Sequence, residues 1–340
     1  MLIRSHIGVE PLAHGGDLTA ARQMFPDAPE PFVDLSTGIN PHPYPLPALP
    51  PDILARLPDR ASVRRLAAVA AQAYGAPSAD HVLPAPGTQI LLPKVAALAP
   101  PGRAAILRTT YAEHERAATL AGHSVSSAND AGELSRADLA IVVNPNNPDG
   151  GIVRRETLLQ TAKAMRPRGG ILLVDEAFAD VAPAGTSLTG DVGRGNIVVL
   201  RSFGKFFGLA GLRLGFAIAA PNLINRLDAL LGPWAVAGPA LLIGEQALAD
   251  DAWKAQTLVR LTDAAARLDR LLAGAGLELA GGTLLYRLTR SPDAESLFER
   301  LGRAGIMVRR FSEEPTWLRF GLPRDENEWR RLADTLSSSR

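Results

Sequence analysis

Five short runs in the middle of the chain constrain its fold more than any other feature. They are AAILR at 104–108, LAIVVN at 139–144, GILLVD at 170–175, NIVVLR at 196–201 and LGFAIA at 214–219. Most show no polar alternation, and a strand that is apolar on both faces is one covered by helices on both sides. Helix-patterned stretches, such as 111–121 and 154–165, separate most of them. This alternation predicts an α/β domain built on a mostly parallel sheet. Beyond residue 220 the rhythm changes. Residues 239–276 read as long helix ending at glycines. LLYRLT (284–289), a helix over 293–304, IMVRRF (306–311) and WLRFGLP (317–323) then predict a smaller α+β domain. The expected division is a large domain over 41–222 and a second unit formed by 1–40 with 223–340. The proline-rich NPHPYPLPALPP at 40–51 reads as an extended surface segment.

Bulk properties exclude several classes of function. A formal net charge of +1 over 340 residues supplies no field for nucleic acid or a membrane surface. No stretch approaches the roughly 20 apolar residues of a membrane span, and the N-terminal MLIRSHIGVEPLAHGGD has no apolar core of a signal peptide. Cysteine is absent, which removes disulfides and thiolate chemistry and fits a cytoplasmic setting. The six histidines are scattered, so no metal site is expected.

In open α/β sheets, ligands bind beyond the carboxyl ends of the strands. Here those ends carry NPNNPDG after LAIVV, DEAF after GILLV and RSFGK after IVVL. Lysine is rare in this chain: Lys94, Lys163, Lys205 and Lys254 stand against arginine everywhere else. An amine that must lose a proton cannot be replaced by arginine, and Lys205 lies among glycines, phenylalanines and leucines. A cofactor with a carbonyl, a ring nitrogen, a ring oxygen and a phosphate suits the set Asn147, Asp175, Lys205 and Arg213. Lys205 can form a Schiff base with an aldehyde. Asp175 can keep a pyridine nitrogen protonated. Asn147 can donate to a phenolic oxygen, and Arg213 can grip a phosphate. Gly87, Thr88 and Gln89 open a helix whose free N–H groups favour an anion, with Ser202 closing the cup. That cofactor is pyridoxal 5'-phosphate. Each piece taken singly has an ordinary structural explanation; their joint order and spacing do not.

The motifs carry a resemblance over nearly the whole chain. NPNNPDG, VDEAF and SFGKFFGLAGLRLGF resemble those of the fold-type I pyridoxal-phosphate enzymes of the class I/II aminotransferase superfamily. The resemblance implies that Lys205 is the Schiff-base lysine, Asp175 the partner of the pyridine nitrogen and Asn147 the donor to the ring oxygen. It further implies that Tyr111 stacks on the ring, that Arg319 holds a substrate α-carboxylate, and that the enzyme is a homodimer. Three positions depart from the pattern: Asp149 replaces a threonine, Phe178 a tyrosine, and Leu57 a tyrosine that reaches the partner subunit's phosphate site.

AHGGDL at 13–18 and VDLSTGINPHPYP at 33–45 look like the N-terminal signature of the threonine-phosphate decarboxylases of cobalamin biosynthesis, which also commonly carry DEAF. That narrower resemblance implies a lyase releasing CO2 from L-threonine O-3-phosphate to give (R)-1-amino-2-propanol O-2-phosphate. Its substrate residues would be His14, Gly15, Gly38, Asn147, Arg309 and Arg319, with glycine at 38 where some members have an asparagine. Alternation along the strand lets only one of Arg309 and Arg310 face the site, and Arg309 is the expected one. An aminotransferase acting on a phosphorylated amino compound, such as histidinol phosphate, is the alternative. A non-catalytic binding protein with this fold is a third reading, which the intact set of Lys205, Asp175, Asn147 and Arg213 disfavours.

Overall fold

The computed structural model describes residues 15–337. His14 lies outside the described residues. Strands and helices are numbered in chain order. The large sheet contains β2 (Val82–Ala85), β3 (Arg103–Leu107), β4 (Ser124–Ala128), β5 (Leu139–Val143), β6 (Ile171–Asp175), β7 (Ile197–Ser202) and β8 (Gly215–Ala219), in the order β2-β8-β7-β6-β5-β3-β4. β7, β6, β5, β3 and β4 run parallel, as the unbroken apolar runs predict, and β8 is antiparallel to both its neighbours. The strands feed two cores. Leu139, Ile141, Leu173, Val198 and Leu200 face one helical layer, and Ala140, Val142, Leu172, Val174 and Val199 face the other. Period-two alternation divides apolar residues between two buried faces.

The helices of this domain include α2 (Arg60–Tyr74), α3 (Leu91–Ala96), α4 (Glu113–Leu120), α5 (Ala131–Leu134), α6 (Arg155–Met165) and α7 (Phe203–Phe206). α8 (Pro221–Leu231) packs on α3 and β2, and α9 (Gly238–Ala249) packs on α2. The long helix expected over 239–276 is broken. Asp250, at φ −87° and ψ 80°, ends α9, accepts a hydrogen bond from the Trp253 N–H and starts α10 (Asp251–Gly274). The sequence ALADDAWK hides this break because aspartate is tolerated inside helices, yet its side chain competes for backbone N–H groups and favours the cap.

The smaller sheet has the order β1-β11-β12-β10-β9, from β1 (Val33–Leu35), β9 (Glu278–Thr283), β10 (Tyr286–Arg290), β11 (Ile306–Arg310) and β12 (Trp317–Gly321). α1 (Leu18–Met24), α11 (Ala294–Arg303) and α12 (Glu326–Ser337) complete the helices. Between β1 and α2 the chain crosses from the small sheet to the large one. Residues 36–44 form this strap, so the start of the proline-rich segment is no free surface: Asn40 and Tyr44 are buried. Close approach at two glycines seats it. A Cβ on Gly321 would lie 2.5 Å from the Thr37 carbonyl oxygen. One on Gly208, whose φ is +67°, would lie 2.7 Å from both the Asn40 carbonyl oxygen and Pro43 Cα.

Gly208→Ala therefore combines left-handed strain with a backbone collision. It should cost about 1–3 kcal/mol, read as a lower urea midpoint at unchanged slope. An unaltered midpoint would show that the strap is not seated there.

Candidate active site

The sheet's carboxyl edge collects the charged and polar groups. Asp175 is the last residue of β6 and Ser202 the last of β7. Because β8 runs the other way, its first residue, Gly215, pairs with both Ser202 and Ala85. That reversal brings Arg213 and the Gly87–Gln89 turn to the same edge. Gly87 has φ +82°, and a Cβ there would sit 2.5 Å from Arg213 Nη2. The guanidinium thus lies against the bare backbone of the turn. Thr88 closes the cradle, since a Cβ on Gly215 would meet its N–H nitrogen at 2.8 Å.

Asp175 is almost fully buried. Its Oδ1 accepts from the Ala177 N–H at 3.0 Å, and its Oδ2 lies 2.9 Å from His114 Nε2. A carboxylate only accepts, so Nε2 carries the proton of that contact. His114 is wholly buried on α4, and its Nδ1 has no partner. The only sequence sign of this residue is its place three positions after Tyr111, one turn along, where their rings meet edge to face at 6.0 Å. A buried histidine in an amphipathic helix otherwise reads as core.

Tyr111 is half-buried. Its hydroxyl donates to Gln89 Oε1 at 3.1 Å, and Gln89 Nε2 donates to Glu113 Oε2 at 2.7 Å. Burial, with Glu113 and Asp175 nearby, raises the phenol to about 12. Gln89 therefore braces the ring of Tyr111 beside the cradle.

Lys205 sits in α7, directly after β7. Burial, assisted by the Arg319 and Arg213 cations, lowers its ammonium to about 8; Asp175 and Asp34 act in the opposite direction. Its Nζ is 5.8 Å from the centroid of the Phe178 ring. Phe178 packs edge to face on Tyr286 at 5.1 Å, and the pair encloses Gly38: a Cβ there would lie 2.9 Å from Tyr286 and 3.0 Å from Phe178. An asparagine at position 38 would not fit this arrangement.

Arg319 projects from β12. Its Nη2 donates to the Ser36 carbonyl at 2.9 Å, its Nη1 donates to Asn147 Oδ1, and its Cζ lies 4.9 Å over the Tyr286 ring. It is buried, its Nε has no hydrogen-bond partner, and among the described residues no carboxylate pairs with it. Burial lowers it to about 10, with Arg309 adding to the shift. Arg309 on β11 is the register partner of Arg319, and burial lowers it too. Arg310 points away, to Glu295 at 3.0 Å and over Phe298. Gly15 lies against Ser36, whose carbonyl oxygen would be 2.5 Å from a Cβ. The NPNNPDG loop docks on β9: Asp149 Oδ1 accepts from Asn146 Nδ2 and the Gly151 N–H, each at 2.9 Å, and its carbonyl accepts from Gly282 N–H at 2.7 Å. Aspartate thus takes the loop-bracing place of the expected threonine.

The structure brings together Gly38, Gly87, Thr88, Gln89, Tyr111, Asn147, Asp175, Ser202, Lys205, Arg213, Arg309 and Arg319. The donor set fits pyridoxal 5'-phosphate. A cradle of backbone N–H groups and one arginine suits a phosphate, a buried carboxylate suits a protonated ring nitrogen, and an amine with a lowered pKa suits an aldehyde. Among the described residues, no group of acids and histidines could hold a metal ion, and no helix is long and apolar enough to cross a membrane.

The model of the class I and II aminotransferases matches residues 55–336. The chain belongs to this family. A threonine-phosphate decarboxylase from Sinorhizobium sp is 46% identical over 330 residues, covering 96% of this chain and 98% of the relative. One from Pseudomonas aeruginosa is 42% identical over 324 residues, covering 94% and 96%. Among solved structures, histidinol-phosphate aminotransferase from Sinorhizobium meliloti in complex with pyridoxal-5'-phosphate superposes with a TM-score of 0.83 at 18% identity, covering 100% of this chain and 99% of that one. L-threonine-O-3-phosphate decarboxylase from Porphyromonas gingivalis superposes with a TM-score of 0.74 at 20% identity, covering 90% and 98%. These two likenesses show the fold.

Only the neutral amine attacks trinitrobenzenesulfonate, so labelling of Lys205 in the cofactor-free protein should rise with pH to half its maximal rate near pH 8. Peptide mapping reads this directly. A midpoint above 10 would contradict the burial of the amine.

Proposed function

We propose that the protein is a pyridoxal-phosphate-dependent lyase that releases CO2 from L-threonine O-3-phosphate and leaves (R)-1-amino-2-propanol O-2-phosphate, a step of cobalamin biosynthesis. The observation that carries this reading is Arg319. It is a buried guanidinium that, among the described residues, has no ion-paired carboxylate, held beside Asn147 and Lys205. Near-full-length identity of 42% and 46% to two threonine-phosphate decarboxylases supports the same substrate.

The roles follow from the geometry. Arg319 takes the α-carboxylate and, fixed by Ser36 and Asn147, sets its direction. Arg309, beside it in register, would read the substrate phosphate. Gly87, Thr88, Gln89, Ser202 and Arg213 hold the cofactor phosphate. Tyr111 would stack on the ring, and Asp175, steadied by His114, would keep a proton on the ring nitrogen. When bound, pyridoxal phosphate supplies the electron sink that accepts the pair left on Cα as CO2 departs. Lys205 would anchor the cofactor aldehyde, and its amine, which burial lowers to about 8 when free, would move a proton at Cα. Phe178 offers no hydroxyl beside Lys205. Asn147 would then donate to the ring oxygen.

A second copy of the chain is part of this reading. Leu46, Leu49, Leu54, Leu57 and Trp234 are exposed apolar residues, and Gly238, four residues beyond Trp234, lies against the Ile53 carbonyl. An apolar surface of this kind favours a homodimer.

The test is a product assay with L-threonine O-3-phosphate, with and without a 2-oxo acid. Release of CO2 and the phosphorylated amine without the oxo acid is expected. Amino transfer that requires the oxo acid would replace this function with the aminotransferase. Lys205→Ala should abolish turnover, and Asp175→Ala should lower kcat by about 10²–10³-fold, in line with loss of other preorganised electrostatic partners. Wild-type kcat in either variant would remove that residue from its role.

A further inference from the structure

Lys205 stands on a weak element. α7 is a single turn, Phe203–Phe206, and its N-cap residue, Ser202, makes no side-chain cap bond. So short a helix has almost no cooperativity of its own; the Lys205 carbonyl accepts from the following Gly208 N–H at 3.3 Å, but the Phe206 and Phe207 carbonyls have no partner within the turn. Around it Phe203, Phe206, Phe207 and Trp253 form a ring cluster, with Phe203 stacked on Phe207 at 4.3 Å and Phe207 on Trp253 at 5.6 Å. Aromatic packing excludes water but has few groups that could satisfy a carbonyl.

The strap supplies them. The Asn40 N–H donates to the Lys205 carbonyl at 3.0 Å, and Asn40 Nδ2 donates to the Phe206 carbonyl at 2.9 Å. The Tyr44 N–H donates to the Phe207 carbonyl at 2.9 Å. Asn40 Oδ1 accepts from the His42 N–H at 3.0 Å, which fixes the amide so that Nδ2 faces α7. Asn40 is 2% exposed. Four residues earlier, the Ser36 carbonyl accepts from Arg319. One short piece of chain therefore grips the carboxylate arginine at one end and the backbone of the reactive lysine at the other.

We propose that Asn40 is a positioning residue, which holds the α7 turn against the strap and so sets the reach and the partly desolvated surroundings of the Lys205 amine. It touches neither substrate nor cofactor and acts through Lys205, so the proposal rests on the role given to Lys205 above. Without its amide, the Phe206 carbonyl is left without that donor, the turn loosens, and Nζ becomes more exposed to water. Desolvation is the main cause of the lowered Lys205 pKa, so loss of Asn40 moves that pKa upward.

Trinitrobenzenesulfonate labelling of the cofactor-free, full-length protein tests this independently of any reaction. In Asn40→Ala, the labelling midpoint of Lys205 should rise by about one pH unit from its value near 8. Tyr44→Phe, which removes only the strap's bond to Asp250, should leave it unmoved. In the loaded enzyme, Asn40→Ala should lower kcat about 10–100-fold with KM changed less than about threefold, because the Arg319 end of the strap is untouched. Circular dichroism confirms folding, and Asn40→Ser, whose hydroxyl can still accept from the His42 N–H, serves if the alanine variant does not fold. A folded variant that melts lower but keeps the wild-type Lys205 midpoint and kcat would make Asn40 purely structural and overturn the proposal. Failure of the wild-type enzyme to decarboxylate would strike the function instead, and would leave the labelling result standing.

Discussion

Burying a guanidinium is costly, and among the described residues no carboxylate forms an ion pair with Arg319, although Asp34 acts on it from a distance. Its Nη atoms rest on a carbonyl and an amide oxygen, its plane faces the Tyr286 ring, and its Nε is left unsatisfied. Neutral acceptors reduce the penalty but do not cancel the charge, and burial still pulls the group down to about 10. Such a site is relieved by an anion. The same low-dielectric surroundings, with Arg319 itself as a neighbour, draw Lys205 down to about 8. Burial lowers both cations, and Arg319 lowers Lys205 further, which makes one place where a carboxylate is welcome and an amine is reactive.

The fold makes this possible by joining two sheets at a few points. The parallel strands deliver Asp175 and Ser202 to one edge, and the reversed β8 brings Arg213 and the Gly87 turn to meet them. β12 and β11 deliver Arg319 and Arg309 from the small sheet. The two halves meet through glycine seams. Gly150 and Gly281 let the NPNNPDG loop close on β9, where a Cβ on either would lie within 2.1 Å of a carbonyl oxygen. The strap spans the remaining gap.

The chemistry was legible in the sequence because motif residues fall at strand ends, where any α/β sheet gathers ligands. The central strands were legible because they are apolar on both faces. What escaped detection was polar and local. His114 carries no pattern that separates a partner of Asp175 from a core residue. Asn40 lies in a motif that reads as substrate lining, whereas its side chain is spent on the Phe206 carbonyl. β1 has three residues and β9 contains two glycines, so neither shows strand periodicity. The break at Asp250 depends on one capping bond, which no helical propensity reveals.

In the proposed function, Arg319 aligns the bond between Cα and the carboxylate for cleavage, rather than the Cα–H bond. Substrate carrying ¹³C in the carboxylate and deuterium on Cα separates the two. All the ¹³C should leave as CO2, and the amine product should keep the deuterium on its carbon. Loss of deuterium to solvent with the ¹³C retained in the organic product would contradict it.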